Sequence, residues 1–146
     1  MLEDVSYDAS VVIGDGSTVK KVTLDLGPYG ISGSVSDALL KINSGTALTI
    51  VGTAETSKIE NTNTSNDAIS NYGTLTINGV TVRGSEGICN YGTLNITDTS
   101  VEATNSYGDG IYNNGSLTMS SSSVRSNEVG IYNRGSLTLT SGNVKG

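Results

Sequence analysis

Residues 130–139 read GIYNRGSLTL, and close copies of this stretch recur upstream. Residues 110–119, 87–96 and 68–77 read GIYNNGSLTM, GICNYGTLNI and AISNYGTLTI. Every copy has an aliphatic residue, an Asn two positions later, a Gly two positions after that, and then a pair of aliphatic residues. Self-similarity with a period of roughly 20–50 residues indicates a repeat architecture in which each copy is one structural unit.

Three columns of aliphatic residues accompany the repeats. The second column lies two residues after the first, which is the period of a strand with one buried face, and the third follows after a turn. We therefore predict three short strands in each repeat. The first column is Leu24, Leu48, Leu75, Leu94, Leu117 and Leu137, the second is Leu26, Ile50, Ile77, Ile96, Met119 and Leu139, and the third is Ile31, Ile59, Val82, Val101, Val124 and Val144.

The chain shows no sustained helical periodicity, and Gly, Asn, Asp and Ser separate the apolar pairs where turns need them. Three strands per repeat, each in register with its equivalent in the next repeat, predict an all-β, single-stranded parallel β-helix of about six rungs. We expect right-handed winding because parallel crossovers nearly always have that hand. Residues 1–146 form one domain in this prediction, with 1–20 as an irregular first rung, 21–146 as regular rungs, and an uncapped C-terminal end.

The motif GIYN-x-GSLT followed by Ser-x-Val resembles the repeats of large bacterial cell-surface and adhesin-like proteins. More broadly, the pattern resembles the right-handed parallel β-helix of the pectate-lyase-like superfamily. The resemblance extends from about residue 21 to residue 146. It implies an exported protein with an extracellular or cell-surface location.

Composition limits the partners. The net charge is −6 and the pI is near 4.4, whereas nucleic acids and anionic membranes attract basic surfaces. We therefore expect no nucleic-acid partner and no membrane insertion, and the sequence predicts neither a membrane span nor a signal peptide. Histidine is absent, and the single cysteine, Cys89, has no intrachain partner for a disulfide.

One asparagine occupies the same position in four successive repeats. Amides stacked at the spacing of neighbouring strands, about 4.8 Å, can bond to one another and to the backbone of the turn. We interpret this column as a structural asparagine ladder whose donors are consumed within the fold. Its members are Asn71, Asn90, Asn113 and Asn133.

A second column, directly after the third aliphatic position, carries charges of alternating sign. Neighbouring side chains there can pair along the axis, and we favour this interpretation over a track for a charged ligand, because alternating signs give no net field. The column, called here the charge ladder, is Glu60, Arg83, Glu102 and Arg125, followed by Lys145.

Four tyrosines form candidate surface-binding positions. Tyr112 and Tyr132 share an outward column that Cys89 and Ser70 continue, while Tyr72 and Tyr91 share a turn position that Asn114 and Arg134 continue. Exposed tyrosines bind sugars and protein partners, such as a host surface protein, but stacked tyrosines also pack on one another. In this arrangement we expect Cys89 to lie near the surface and outside the core.

Threonine-rich columns are also expected on an outward face. They resemble the arrays of ice-binding solenoids, although ordinary strand propensity explains Thr there equally well. The array is broken by Asn95 and by several Ser residues. The positions are Thr74, Thr76, Thr93, Asn95, Ser116, Thr118, Ser136 and Thr138.

The acidic residues appear singly in the sequence, and no pair of carboxylates recurs as catalysis on a polysaccharide would need. The acids considered are Asp25, Asp98, Glu102 and Asp109. We therefore predict no enzyme activity and no cofactor, and we leave open a calcium ion in the loop at residues 107–110.

Three hypotheses for function follow from these observations. The first is a non-catalytic structural or adhesive segment that acts as a stiff spacer. Two explanations of its open end compete: the chain is a fragment of a longer solenoid, or its ends stack on further copies and form filaments. The second is a glycan-binding module that uses the tyrosine columns. The third is a minimal polysaccharide-active enzyme.

Overall fold

A computed structural model describes residues 3–17, 20–53 and 55–146 of the chain. These residues form nineteen strands joined by turns, with no helix among them, and the strands fall into three parallel sheets. Each of six rungs contributes one strand to every sheet, and the last strand of the chain adds a seventh to one of them. The structure confirms the predicted fold class, an all-β parallel solenoid of about six rungs with three strands in each rung.

The three sheets run side by side along the solenoid and are called here sheets A, B and C. Sheet A contains β1 (Val5–Tyr7), β4 (Gly30–Gly33), β7 (Lys58–Asn61), β10 (Thr81–Gly84), β13 (Ser100–Ala103), β16 (Ser122–Arg125) and β19 (Gly142–Lys145). Sheet B contains β2 (Val11–Ile13), β5 (Leu40–Ile42), β8 (Ile69–Asn71), β11 (Ile88–Asn90), β14 (Ile111–Asn113) and β17 (Ile131–Asn133). Sheet C contains β3 (Lys20–Gly27), β6 (Thr46–Gly52), β9 (Thr74–Asn78), β12 (Thr93–Thr97), β15 (Ser116–Ser120) and β18 (Ser136–Leu139).

The predicted register holds along sheet A and in most of sheet C. The third aliphatic column runs without a break from Ile31 to Val144, and the first runs from Leu48 to Leu137. Asn95 lies between Thr76 and Thr118 on the outward face of sheet C, as the sequence pattern predicts.

The register predicted for the first rung of sheet C is wrong by two residues. Val22 pairs with Leu48, and Leu24 pairs with Ile50. The sequence columns instead aligned Leu24 with Leu48 and Leu26 with Ile50. A shift of two residues leaves the same face of a strand buried, so the alternation of apolar residues is compatible with both registers. In β3 the pairing is also irregular between Asp25 and Gly27, which accommodates the extra length of this strand.

The aliphatic columns form a continuous core. Ile50, Leu75 and Ile88 are completely buried, as are most of their equivalents in the central rungs. Burial of each such side chain contributes about 1.5–3 kcal/mol relative to exposure. At the last rung the same columns are open to solvent, and Leu137 is 41 % and Leu139 48 % exposed.

The turn from sheet B to sheet C needs glycine in each regular repeat. A Cβ atom on Gly115 would lie 2.0 Å from the carbonyl oxygen of Gly92, one rung earlier, and a Cβ atom on Gly92 would lie equally close to that of Gly73. Such contacts are far shorter than van der Waals separation, so no larger residue fits without moving the backbone. The Gly of the repeated motif is therefore fixed by the close approach of successive turns.

The connections from sheet A to sheet B carry the longest insertions of the regular rungs. Residues 62–68 and 104–110 connect these sheets in two rungs, whereas residues 85–87 suffice in the rung between them. The longer loops consequently lie along one edge of sheet B.

Candidate functional site

The asparagine ladder forms as predicted and continues from rung to rung. The Nδ2 atom of Asn71 donates to Oδ1 of Asn90 at 2.7 Å, Asn90 donates to Asn113 at 2.7 Å, and Asn113 donates to Asn133 at 2.6 Å. Each of the three donors also contacts backbone oxygens in the turn to sheet C, for example Asn113 Nδ2 with the carbonyl of Ser136 at 2.9 Å. The amides are thus occupied by the fold, which supports a structural role.

The two ends of the ladder differ. In the rung before Asn71, the equivalent position is taken by Ile42, so the ladder begins at Asn71. At the other end, Asn133 is exposed and its Nδ2 atom donates to the carbonyl of Gly135 at 3.0 Å. The buried part of the ladder is therefore confined to Asn71, Asn90 and Asn113, each completely inaccessible to solvent.

The four tyrosines form one continuous stack beside sheet B, although they come from two sequence columns. The rings of Tyr72 and Tyr91 lie 4.9 Å apart and nearly parallel, and those of Tyr112 and Tyr132 lie 5.7 Å apart at an angle of 10°. Between the two pairs, Tyr91 and Tyr112 are 5.9 Å apart and tilted by 48°. The sequence predicted two separate pairs, and the diagonal contact of Tyr91 with Tyr112 joins them.

Stacking determines which part of each ring remains available. Tyr72, Tyr91 and Tyr132 are between 44 % and 47 % exposed, so the stack lies at the surface. A ring stacked on both sides presents its edge and hydroxyl group to solvent, while its faces contact the neighbouring rings. Since sugars pack on the faces of aromatic rings, only the ends of the stack have the geometry of a sugar platform.

A group of two carboxylates and the thiol lies next to the tyrosine stack. The Sγ atom of Cys89 donates to Oε2 of Glu86 at 2.8 Å, and Oγ of Ser70 donates to Oδ2 of Asp67 at 3.1 Å. Potential ligand atoms of Asp67, Glu86 and Cys89 all lie within 4.8 Å of one another. Carboxylate and thiolate atoms are metal ligands in proteins, but here Glu86 accepts a hydrogen bond from the thiol and Asp67 accepts one from the Ser70 hydroxyl.

The expectation that Cys89 lies near the surface is wrong. Its side chain occupies the outward column of sheet B, as the sequence alignment indicates, yet only 6 % of the residue is exposed. Asp67 and Glu86 from the turns of two successive rungs contact the thiol. An outward position on a sheet is therefore buried when the preceding turn supplies side chains that cover it.

Burial and like charge shift the protonation of this group. Burial raises the pKa of the Asp67 and Glu86 carboxyl groups, and hydrogen bonds from the thiol and Ser70 oppose that effect only in part. Burial, followed by the negative charge of Asp67, raises the pKa of the Cys89 thiol far above its usual value. Cys89 is therefore a neutral thiol that donates a hydrogen bond.

Asp67, Glu86 and Asp109 occupy one position in three successive rungs, and we call them the acidic column. Each lies two residues before an aligned Ile that begins a strand of sheet B. The prediction that the acids are scattered singly, made for Asp109 among others, is wrong for this residue. A signal was present in the sequence, because each of the three acids directly precedes the Ala or Gly that opens the repeated motif.

The loop at residues 107–110, considered as a calcium site, contributes one carboxylate. Burial raises the pKa of Asp109, and the charge of Glu128 raises it further. Asp109 does not belong to the group of metal-type ligands found among the described residues, which consists of Asp67, Glu86 and Cys89. Tyr107 in the same loop is 85 % exposed.

The charge ladder is paired over three of its positions. Nη1 of Arg83 lies 3.1 Å from Oε1 of Glu60, and Nε of Arg83 lies 3.1 Å from Oε2 of Glu102. Arg125 is aligned with Glu102 in the next strand, but within the described ranges it makes no ion pair. The ladder is therefore centred on one arginine between two glutamates.

Comparisons of the chain with family models, with curated proteins and with solved structures found no match. In the part of the chain that the structure describes, no helix is long and apolar enough to cross a membrane.

Proposed function

We propose that this chain is a non-catalytic structural or adhesive segment that acts as a stiff solenoid and stacks end to end with further copies. The observation that carries the proposal is the apolar surface of the last rung. Leu137, Leu139 and Val144 are 38–48 % exposed, whereas their equivalents Leu117, Met119 and Val124 one rung earlier are at most 1 % exposed. Contact with another apolar surface stabilises a surface of this composition, and either a following rung of a longer solenoid or a second copy of the chain would provide that contact.

The strand order supports stacking with a second copy of the same chain. The outermost strands at one end are β17, β18 and β19, and those at the other end are β2, β3 and β1 of the corresponding sheets. All strand pairs are parallel, so a second copy placed head to tail would continue sheets B and C, which have six strands each. Sheet A has seven strands, so β1 of the second copy would have to give way to β19 of the first. Such a contact does not close on itself, and repeated addition would give a filament.

Apolar residues would meet apolar residues in this contact. Val22 and Leu24 on β3 continue the columns that end at Leu137 and Leu139. Val22 is itself 37 % exposed. Stacking would bury both sets of side chains and pair the open edges of sheets B and C.

Sedimentation velocity and electron microscopy across a range of protein concentrations test the proposal. We expect larger species to grow with concentration, and we expect Leu139→Lys to abolish them because it places a charge in the contact. Thr138→Lys is the matched control, since it adds the same charge on the outward face of the same strand and should leave assembly intact. A monodisperse wild-type monomer at every concentration would contradict end-to-end stacking.

An extracellular or cell-surface location is part of the proposal and rests on the resemblance of the GIYN-x-GSLT repeats to those of bacterial surface proteins. Fractionation of the source cells, followed by detection with an antibody to this chain, tests it. Recovery in the surface or culture fraction is expected, and recovery only with cytosolic markers would contradict the location.

A glycan-binding module is the second candidate function. The continuous tyrosine stack favours it, because three of the four rings are more than two-fifths exposed. The covered ring faces restrict this candidate to the ends of the stack. Binding of the purified chain to an array of immobilised glycans tests it, and an array without any bound spot would exclude it for the glycans presented.

A further inference from the structure

The tyrosine stack ends at Tyr72, which has Tyr91 on one side of its ring. The preceding rung has Asn43 at the equivalent turn position, since Ile42 aligns with Asn71. The backbone N–H of Tyr72 donates to the carbonyl of Ile42 at 2.8 Å, which holds the two turns together. Within the described residues, no second ring covers the side of Tyr72 that faces this rung.

An open depression of about 510 Å³ lies beside Tyr72. The depression is open to solvent, and its lining combines an aromatic ring with several polar groups. This combination suits a sugar, which presents an apolar C–H face and a rim of hydroxyl groups. The described residues that line the depression are Gly16, Lys41, Asn43, Ser44 and Tyr72.

The polar side chains around the depression are partly fixed in advance. Nδ2 of Asn43 donates to the carbonyl of Gly14 at 2.7 Å, which orients the amide and leaves its Oδ1 atom without a donor among the described residues. The Lys41 ammonium group is held by Asp37 at 2.7 Å and keeps further N–H donors. Ser44 is exposed and offers a hydroxyl group. Groups oriented before binding lose less entropy when a ligand arrives.

The electrostatic environment favours an uncharged ligand. The charge of Lys41 is compensated by its ion pair with Asp37, and the carboxylate of Asp67 also acts on Lys41. The chain as a whole carries a net charge of −6. A uronate would therefore meet no uncompensated cation in this depression, whereas a neutral sugar needs none.

We propose that this depression, called here the Tyr72 groove, binds one pyranose ring of a neutral glycan, stacked on the free face of Tyr72 and hydrogen-bonded by Lys41, Asn43 and Ser44. The inference rests on the glycan-binding candidate and is independent of end-to-end stacking.

A second open depression, of about 430 Å³, borders Tyr72 toward sheet C. A chain of sugars that fills the Tyr72 groove can extend past the ring into this second depression. An oligosaccharide is consequently expected to bind more tightly than the corresponding monosaccharide. Its other lining residues are Gly45, Thr46, Ala47, Gly73, Thr74, Gly92 and Thr93.

The test begins with an array of neutral and uronate-containing oligosaccharides, followed by isothermal titration of the best-bound neutral oligosaccharide. We expect Tyr72→Ala and Asn43→Ala each to weaken its binding at least about tenfold. Tyr107→Ala is the control, because Tyr107 is 85 % exposed and makes no ring contact among the described residues. Circular dichroism melting of each variant separates a loss of binding from a loss of folding.

The outcomes distinguish this inference from the candidate on which it rests. If the wild-type chain binds no glycan, both fail. If it binds a neutral glycan with unchanged affinity after Tyr72→Ala in a folded variant, the Tyr72 groove is wrong while the glycan-binding candidate stands. If uronate-containing glycans bind more tightly than neutral ones, the neutral specificity is overturned.

Discussion

The asparagine ladder and the charge ladder are built alike, with one side chain per rung in register along the solenoid, but they lie in opposite environments. Asn71, Asn90 and Asn113 are completely buried, and their amides bond to each other and to turn carbonyls. The side chains of Arg83 and Glu102 are 39 % exposed and pair at 3.1 Å. Water competes for the charged groups of the charge ladder, but it does not reach the amides of the asparagine ladder.

The difference teaches that register alone does not set the stabilising effect of a column. Removal of a buried amide leaves its partners without hydrogen bonds in a place that water does not reach. When an exposed ion pair is broken, water hydrates the remaining charged group. The acidic column lies between these cases, because it is partly buried and its members repel one another. Three predictions test the expected order of the effects on stability, from the asparagine ladder through the acidic column to the charge ladder.

The largest loss of stability is expected for Asn113→Leu. The substitution removes the donor to Asn133 and to the carbonyl of Ser136, and it removes the acceptor of Asn90 Nδ2. Each buried polar group left without a partner costs about 1–3 kcal/mol, so the free energy of unfolding should fall by at least that amount. Denaturant unfolding followed by circular dichroism measures it.

Asn133→Leu is the matched control for the ladder, because Asn133 is exposed and at its open end. Its substitution should lower the free energy of unfolding clearly less than the substitution of Asn113 does. Equal losses in the two variants would mean that burial is not the reason for the strength of the ladder.

An intermediate effect is expected for the acidic column as the pH changes. Burial raises the pKa of Asp67 and Glu86 in the folded chain above the ordinary values of 3.8 and 4.5. The folded state therefore binds protons more readily than the unfolded state, and its stability rises as the pH falls through the raised pKa values toward the ordinary ones. The melting temperature should increase as the pH falls from neutral toward the ordinary pKa values of these carboxyl groups, since they are then protonated first in the folded chain.

The double variant Asp67→Asn, Glu86→Gln should lose most of this increase and be more stable than the wild type at neutral pH. Asp8→Asn, at an exposed position, serves as the control and should keep the wild-type profile. A melting temperature that falls steadily with acidification in the wild type would contradict the effect of the acidic column.

The smallest effect is expected for Arg83→Met. The variant loses two ion pairs, with Glu60 and Glu102, but keeps the aliphatic part of the side chain. Partly exposed pairs of this kind contribute about 0–1 kcal/mol each, and added salt should reduce the loss. Chemical denaturation at low and high salt gives the measurement.

Arg125→Met provides the comparison for Arg83, because Arg125 is exposed and unpaired within the described residues. It should change stability by less than Arg83→Met. A loss for Arg83→Met as large as that for Asn113→Leu would remove the distinction between the two ladders.

Much of the candidate site followed from local sequence rules. The motif places Asn113 and Gly115 two residues apart, and both positions are fixed by contacts with the equivalent residues of adjacent rungs. The tyrosine positions were also visible, but their union into one stack was not, because the contact of Tyr91 with Tyr112 joins different columns of adjacent rungs. Its existence depends on the reach and tilt of two rings, which no periodicity encodes.

The sequence by itself determined the solenoid, the three strands of each rung and the asparagine ladder, because a period of two and a repeated turn require the same residue types in every copy. The tertiary structure decided the register of β3, the burial of Cys89 and the groove beside Tyr72. Each of these depends on how turns of unequal length bring side chains of neighbouring rungs together. Apolar periodicity fixes which face of a strand is buried, whereas packing between rungs fixes which outward side chains meet.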